Sequence, residues 1–148
     1  VAYVCCSVSS IRENYVSKKL RVYLAGPMRN IPYFNFPAFF AAEAKLKKKG
    51  HKVFNPARRD VEKYGQGAAP PTGTVKEAAS QVGFSLREAL ANDSSWLCLN
   101  ADAIALLPGY EKSKGANAEL ALAKALGLKV IKLKALTRAK KGKKKCHS

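Results

Sequence analysis

Four short apolar runs punctuate the chain. Arg21-Val-Tyr-Leu-Ala25, His51-Lys-Val-Phe54, Ala103-Ile-Ala-Leu-Leu107 and Leu128-Lys-Val-Ile-Lys-Leu133 have the length and the branched or aromatic content of buried strands. Turn formers close the first three: Gly26-Pro27, Asn55-Pro56 and Pro108-Gly109. Longer stretches with helical spacing lie between them. Phe36, Phe39, Phe40 and Leu46 share one face of a helix expected over 36–49, with lysines crowding its last turns, where cations complement the helix dipole. Gly50 ends it. A mostly helical stretch is expected from Gln81 to about Leu99, and an alanine- and leucine-rich helix from Gly115 to Leu126, stopped by Gly127. Residues 57–80 are rich in Gly, Pro, Ala and Thr and read as a mobile loop or lid.

The order strand, helix, strand, helix, strand, helix, strand predicts an α/β fold. The expected form is a Rossmann-like or flavodoxin-like open parallel sheet of four to five strands with helices on both faces. One domain is expected over 21–134, preceded by an N-terminal extension over 1–20 and followed by a basic, disordered tail over 135–148. Ligands of such sheets sit beyond the carboxyl ends of the strands. That rule gathers Gly26 to Asn30, Asn55 to Asp60 and Pro108 to Ser113 into one crevice.

Charge sharpens the picture. The 148 residues carry a formal net charge of +17, unevenly placed. Lys129 to Ser148 holds nine of the 27 basic residues and no acid, which leaves 18 bases against 10 acids, or +8, in the rest. A moderately basic body suits a phosphorylated ligand. The tail reads as a solvated lysine run, with weak nucleic-acid contact as its alternative. Cys5, Cys6, Cys98 and Cys146 match no zinc site and no secreted disulfide framework, so reduced thiols in a cytoplasmic protein are expected, with Cys98 in the core. No segment has transmembrane length, and no membrane partner is expected. With His51 and His147 as the only histidines, a Ser-His-Asp hydrolase or a histidine metal site is disfavoured. The chain has no Gly-x-Gly-x-x-Gly and no Walker loop, which argues against a dinucleotide enzyme or an NTPase; no cofactor and no metal are expected.

Carboxylate chemistry remains. Ser113-Lys-Gly-Ala-Asn-Ala-Glu119 places an acid one turn inside a helix, just after a small, hydroxyl-bearing loop. A helix start beyond a strand end is a natural seat for an anion. An acid facing that seat is awkward for stability alone, which points to chemistry. Tyr23 in the first strand, Arg29 in the loop after it and Asp93 ahead of the third strand would share the crevice. Taken singly, each also reads as an ordinary core, cap or surface residue; one fold bringing them together favours function.

Three segments in order carry a resemblance. Val22-Tyr-Leu-Ala-Gly-Pro-Met-Arg29, Asp93-Ser-Ser-Trp96 with the following third strand, and Ser113 to Ala123 resemble the nucleoside 2-deoxyribosyltransferase-like superfamily over about residues 21 to 133. The site pattern is similar to its deoxynucleoside 5′-monophosphate N-glycosidases. The resemblance implies Glu119 as the nucleophile at the anomeric carbon, Asp93 as the group that handles the proton at the base, and Tyr23 as a catalytic partner. It implies substrate binding by Gly26, Arg29, Ser113, Gly115 and Asn117, with Ser113 on the 5′-phosphate. The transferase branch tends to carry an aspartate at the Ser113 position, which favours a phosphorylated substrate here. The implied partners are a small-molecule nucleotide and further copies of the chain in a homodimer or larger homo-oligomer. Base exchange by a 2-deoxyribosyltransferase, a non-catalytic nucleotide-binding domain and a nucleic-acid-associated protein led by the basic tail are the alternatives.

Overall fold

A computed structural model describes residues 18–134. The expected extension and tail therefore lie almost wholly outside the described residues, as do Cys5, Cys6 and Cys146. Four parallel strands form one sheet: β1 (Arg21–Ala25), β2 (Lys52–Phe54), β3 (Ala103–Leu106) and β4 (Lys129–Lys132), in the order β2-β1-β3-β4. Tyr23 pairs with Phe54 on one side and Ile104 on the other, and Ile104 pairs with Val130. The two central strands are buried on both sides, and this is why they read as unbroken apolar runs.

Alternate residues serve opposite faces. Val22, Leu24, Ala103 and Ala105 pack with Phe36, Phe39 and Leu46 of α1 (Phe36–Lys48) and with Phe34 and Phe84. Tyr23, Ala25, Ile104 and Leu106 pack with Leu97 of α4 (Leu86–Asn100) and with Ala116 and Ala123 of α5 (Lys114–Ala125). Helices thus cover both faces, as the element order predicts. No helix among the described residues is long and apolar enough to cross a membrane.

Two expectations need correction. Residues 57–80 are not a loop: α2 (Pro56–Tyr64), a short 3-10 turn over Gln66–Ala68 and α3 (Val75–Val82) occupy most of them. Asn55 caps α2 by accepting from the Ala57 amide at 3.0 Å, with Pro56 pre-set for the first turn. Thr74 caps α3 by accepting from the Glu77 amide, a spacing that matches a capping box. The stretch from Gln81 to Leu99 is mostly helical, as expected, and is interrupted where Gly83 adopts the left-handed conformation that ends α3 before α4 begins. The second correction is Cys98, which is exposed on α4 rather than buried in the core.

A buried ionic cluster fixes α2 against α1. Glu43 is 2% exposed and accepts from Arg58, Lys47 and the Asn55 side-chain amide. Burial alone would raise its pKa, but these donors outweigh it and hold the carboxyl down at about 2.

Candidate functional site

The sheet order changes direction between β1 and β3, and in such sheets the crevice opens above that point. A pocket lies there, lined by Leu24, Ala25 and Gly26 at the end of β1, by Met28 and Arg29 in the following loop, and by Ser113, Gly115, Ala116 and Glu119 at the start of α5. Pro56 and Asp60 of α2 and Asp93 of α4 close another side. Phe34, Val75, Phe84, Leu86 and Leu90 supply an apolar wall.

Glu119 is placed by its helix. Ser113 caps α5, its hydroxyl accepting from the Ala116 amide at 3.3 Å. Five residues into α5 the chain turns Glu119 inward, where it is 9% exposed. Beneath it the fully buried Tyr23 donates its hydroxyl to Glu119 Oε1 at 2.8 Å. The Tyr23 ring stacks on Phe54, with centroids 5.4 Å apart, and Phe54 stacks on Trp96 at 4.5 Å. Trp96 follows Asp93 by three residues, so one aromatic stack ties Tyr23, the partner of Glu119, to the helix that carries the second acid.

The carboxyl groups sit far from their ordinary protonation behaviour. Burial pushes Glu119 up to about 8, Asp93's charge adds to that, and the Tyr23 hydrogen bond works in the other direction. Burial raises Asp93 to about 6 against the pull of Arg59. Asp60 is raised to about 7 by burial and by Asp93's charge, opposed by Arg59 and Lys63. Tyr23 is raised well above its usual range by burial and then by Glu119. Clustered, strongly displaced carboxyls in a cleft are a mark of functional sites. Among the described residues, no three acids, histidines or cysteines are grouped to hold a metal.

Seven of the eight expected residues meet around this pocket. Gly26, Arg29, Asp93, Ser113, Gly115 and Glu119 line it, and Tyr23 lies directly behind Glu119. Gly26 is needed for packing: a Cβ there would come within 2.8 Å of the Leu107 Cβ. Arg29 is exposed and makes no ion pair among the described residues. Asn117 is the exception. It is exposed, does not line the pocket, and donates to the carbonyls of Tyr110, Glu111 and Ser113 at 3.2, 2.9 and 2.9 Å. It braces the loop that presents Ser113. Asp60 was not among the expected site residues. Its signal was Asn55-Pro56 as a helix start, which puts Asp60 one turn after Pro56 on the same face.

The family described as "Domain of unknown function (DUF4406)" matches residues 20–132. Comparisons with curated proteins and with solved structures give no match.

Proposed function

We propose that this chain, which belongs to the DUF4406 family, cleaves the N-glycosidic bond of a deoxynucleoside 5′-monophosphate, using Glu119 as nucleophile. The observation that carries the reading is the buried Glu119 carboxyl, hydrogen-bonded to Tyr23 and sharing one pocket with Asp93 and with the start of α5. The resemblance to nucleoside 2-deoxyribosyltransferase-like enzymes supports the same roles.

The chemistry follows from the groups. Ser113, the first amides of α5 and Arg29 hold the 5′-phosphate, the helix dipole adding to the attraction. Gripping the phosphate uses remote binding energy to set C1′ over Glu119. Glu119 attacks C1′ as the bond to the base breaks, and the bonding pair leaves with the base nitrogen. Asp93 supplies a proton to the departing base and becomes a carboxylate. Water then attacks C1′ of the glycosyl ester, gives a proton to Asp93 and releases deoxyribose 5-phosphate. Glu119 regains its carboxylate form. A second base in place of water gives base exchange.

Attack needs Glu119 ionised, whereas burial favours its neutral form. In the neutral range Glu119 holds its proton more tightly than Asp93, so that proton passes to Asp93 before attack; positive charge growing at C1′ favours this arrangement, because a cation against the carboxyl favours its ionised state. A neutral acid at rest also spares the fold a buried, uncompensated charge. The same reading carries a homo-oligomer with sites near subunit borders.

Incubation with deoxynucleoside monophosphates, followed by chromatography for free base, tests the proposal. Base release by the wild type and its loss in Glu119→Ala is the expected result; nucleotide binding without base release would contradict it.

A further inference from the structure

The cleavage reading gives Asp60 no role, although it lines the same pocket as Asp93. A smaller adjoining cavity is again bounded by both Asp60 and Asp93, together with Arg59, Lys63 and Asn92. A third cavity brings together Arg29, Ser113 and Lys114 without either aspartate. The polar groups therefore separate into an anion-holding end, a central Glu119 and an aspartate end beside apolar residues such as Ala89. Neither Asp60 nor Asp93 makes a side-chain hydrogen bond or ion pair among the described residues, and Asp93 is nine-tenths buried. Among the described residues no sealed-off side-chain oxygen lacks a partner, so the Asp93 oxygens open onto the pocket, where a ligand can bond them.

We infer that Asp60 and Asp93 read the nucleobase as a pair, and that among purine nucleotides they take 6-amino over 6-oxo bases. The inference rests on the proposed cleavage for the nature of the ligand. Two carboxyls lining one poorly solvated end resist carrying two charges and hold one proton between them in the neutral range, which leaves one donor and one acceptor at that end of the pocket. The surrounding groups are Arg59 and Lys63 of α2, which favour charge, and Glu119 of α5 and Tyr23 of β1, whose own ionisation Asp93's charge opposes. Burial places both aspartates near neutrality, Asp93 at about 6 and Asp60 at about 7. The acid that assists departure of a purine donates to N7. Beside N7, adenine offers an amino donor, whereas 6-oxo purines offer a second acceptor. With the shared proton drawn to Asp93 by the basic N7, against the resting order in which Asp60 holds it more tightly, the ionised Asp60 accepts from the amino group and repels the oxo oxygen.

Deoxyadenosine and deoxyinosine monophosphates differ only in the 6-substituent and the N1 proton that accompanies it, so their kcat/KM ratio is the measurement. The expected ratio favours the adenine nucleotide by at least about tenfold in the wild type. Asp60→Asn removes the charge and presents an amide that also donates to the oxo oxygen, so the ratio falls to near one or inverts. Asp60→Ala, which makes neither bond, brings it near one. Calorimetric binding of the same two nucleotides to Glu119→Gln gives the ratio without turnover. If no base is released but this variant shows an amino preference that Asp60→Asn abolishes, the cleavage reading fails and the pair stands. Base release with a ratio near one, with a preference for the oxo base, or with a preference unmoved by Asp60→Asn overturns the pair and leaves cleavage intact. Failure of both nucleotides to bind overturns both.

Discussion

Tyr23 and Glu119 are 96 residues apart in sequence and joined by one buried hydrogen bond of 2.8 Å. The bond links the central strand to the first turns of α5, and it is the interaction in the pocket that most directly favours an ionised Glu119. Tyr23→Phe keeps the ring stacked on Phe54 and deletes only the donor. The expected outcome is a folded protein whose base-release rate falls about 10- to 100-fold, with Glu119 ionising at higher pH. A pH profile of kcat/KM checks this; an unchanged profile would remove Tyr23 from the mechanism.

Stability and activity should respond to pH in linked ways. Glu119 ionises at about 8 in the folded chain, against an ordinary value of 4.5. The folded state therefore holds the proton more tightly than the unfolded state does. Its contribution is fully present below the ordinary value and is lost as pH rises toward the folded one, each unit of displacement being worth about 1.4 kcal/mol. Glu119→Gln is neutral at every pH. Thermal unfolding between pH 5 and 9 should show a gain in Tm for this variant that grows with pH, alongside loss of activity. A pH-independent difference would contradict the buried, neutral carboxyl.

In the proposed cleavage, turnover needs one proton on the pair formed by Asp93 and Glu119, in the arrangement with Glu119 ionised. The kcat/KM profile is expected to be bell-shaped, with limbs near the values of about 6 and about 8 that burial gives these groups. The limbs belong to the coupled set rather than to single residues. A profile that rises without a fall through pH 9 would leave no acid in the reaction.

Phosphate recognition separates substrate classes. Ser113→Ala and Arg29→Ala should raise KM for nucleoside monophosphates, by about tenfold or more for the arginine, and leave kcat/KM for the corresponding nucleosides nearly unchanged. Steady-state kinetics on matched nucleotide and nucleoside pairs checks this. Equal losses on both would move the phosphate elsewhere.

The fold was legible where apolar runs and turn formers agreed. Val22 to Ala25 and Ala103 to Leu106 are buried on both faces, so burial alone marks them. The α2 and α3 region was not, because Arg58, Arg59, Asp60, Glu62 and Lys63 make α2 too polar for an apolar stripe, and the nearby Gly and Pro imitate a loop. Asn55-Pro56 ends a strand and starts a helix at once, and only the first meaning was read. Cys98 follows the fully buried Leu97 yet faces outward, since adjacent helical positions diverge by about 100°. Asn117 lies two residues before Glu119 in the same segment, but its amide closes the loop over three carbonyls instead of facing the ligand. Ser113 and Arg29 were legible because each sits at an element end that the parallel sheet directs to one crevice, whereas Glu119 and Asp93 line the same pocket from within α5 and α4.

The central claim is that Glu119 attacks a sugar carbon, and base release measures it most directly. Wild-type protein incubated with deoxynucleoside 5′-monophosphates should yield free base and deoxyribose 5-phosphate in equal amounts, while Glu119→Ala, folded by circular dichroism, should be slower by at least about a hundredfold. Absence of free base from every nucleotide, or near wild-type release by Glu119→Ala, would contradict it.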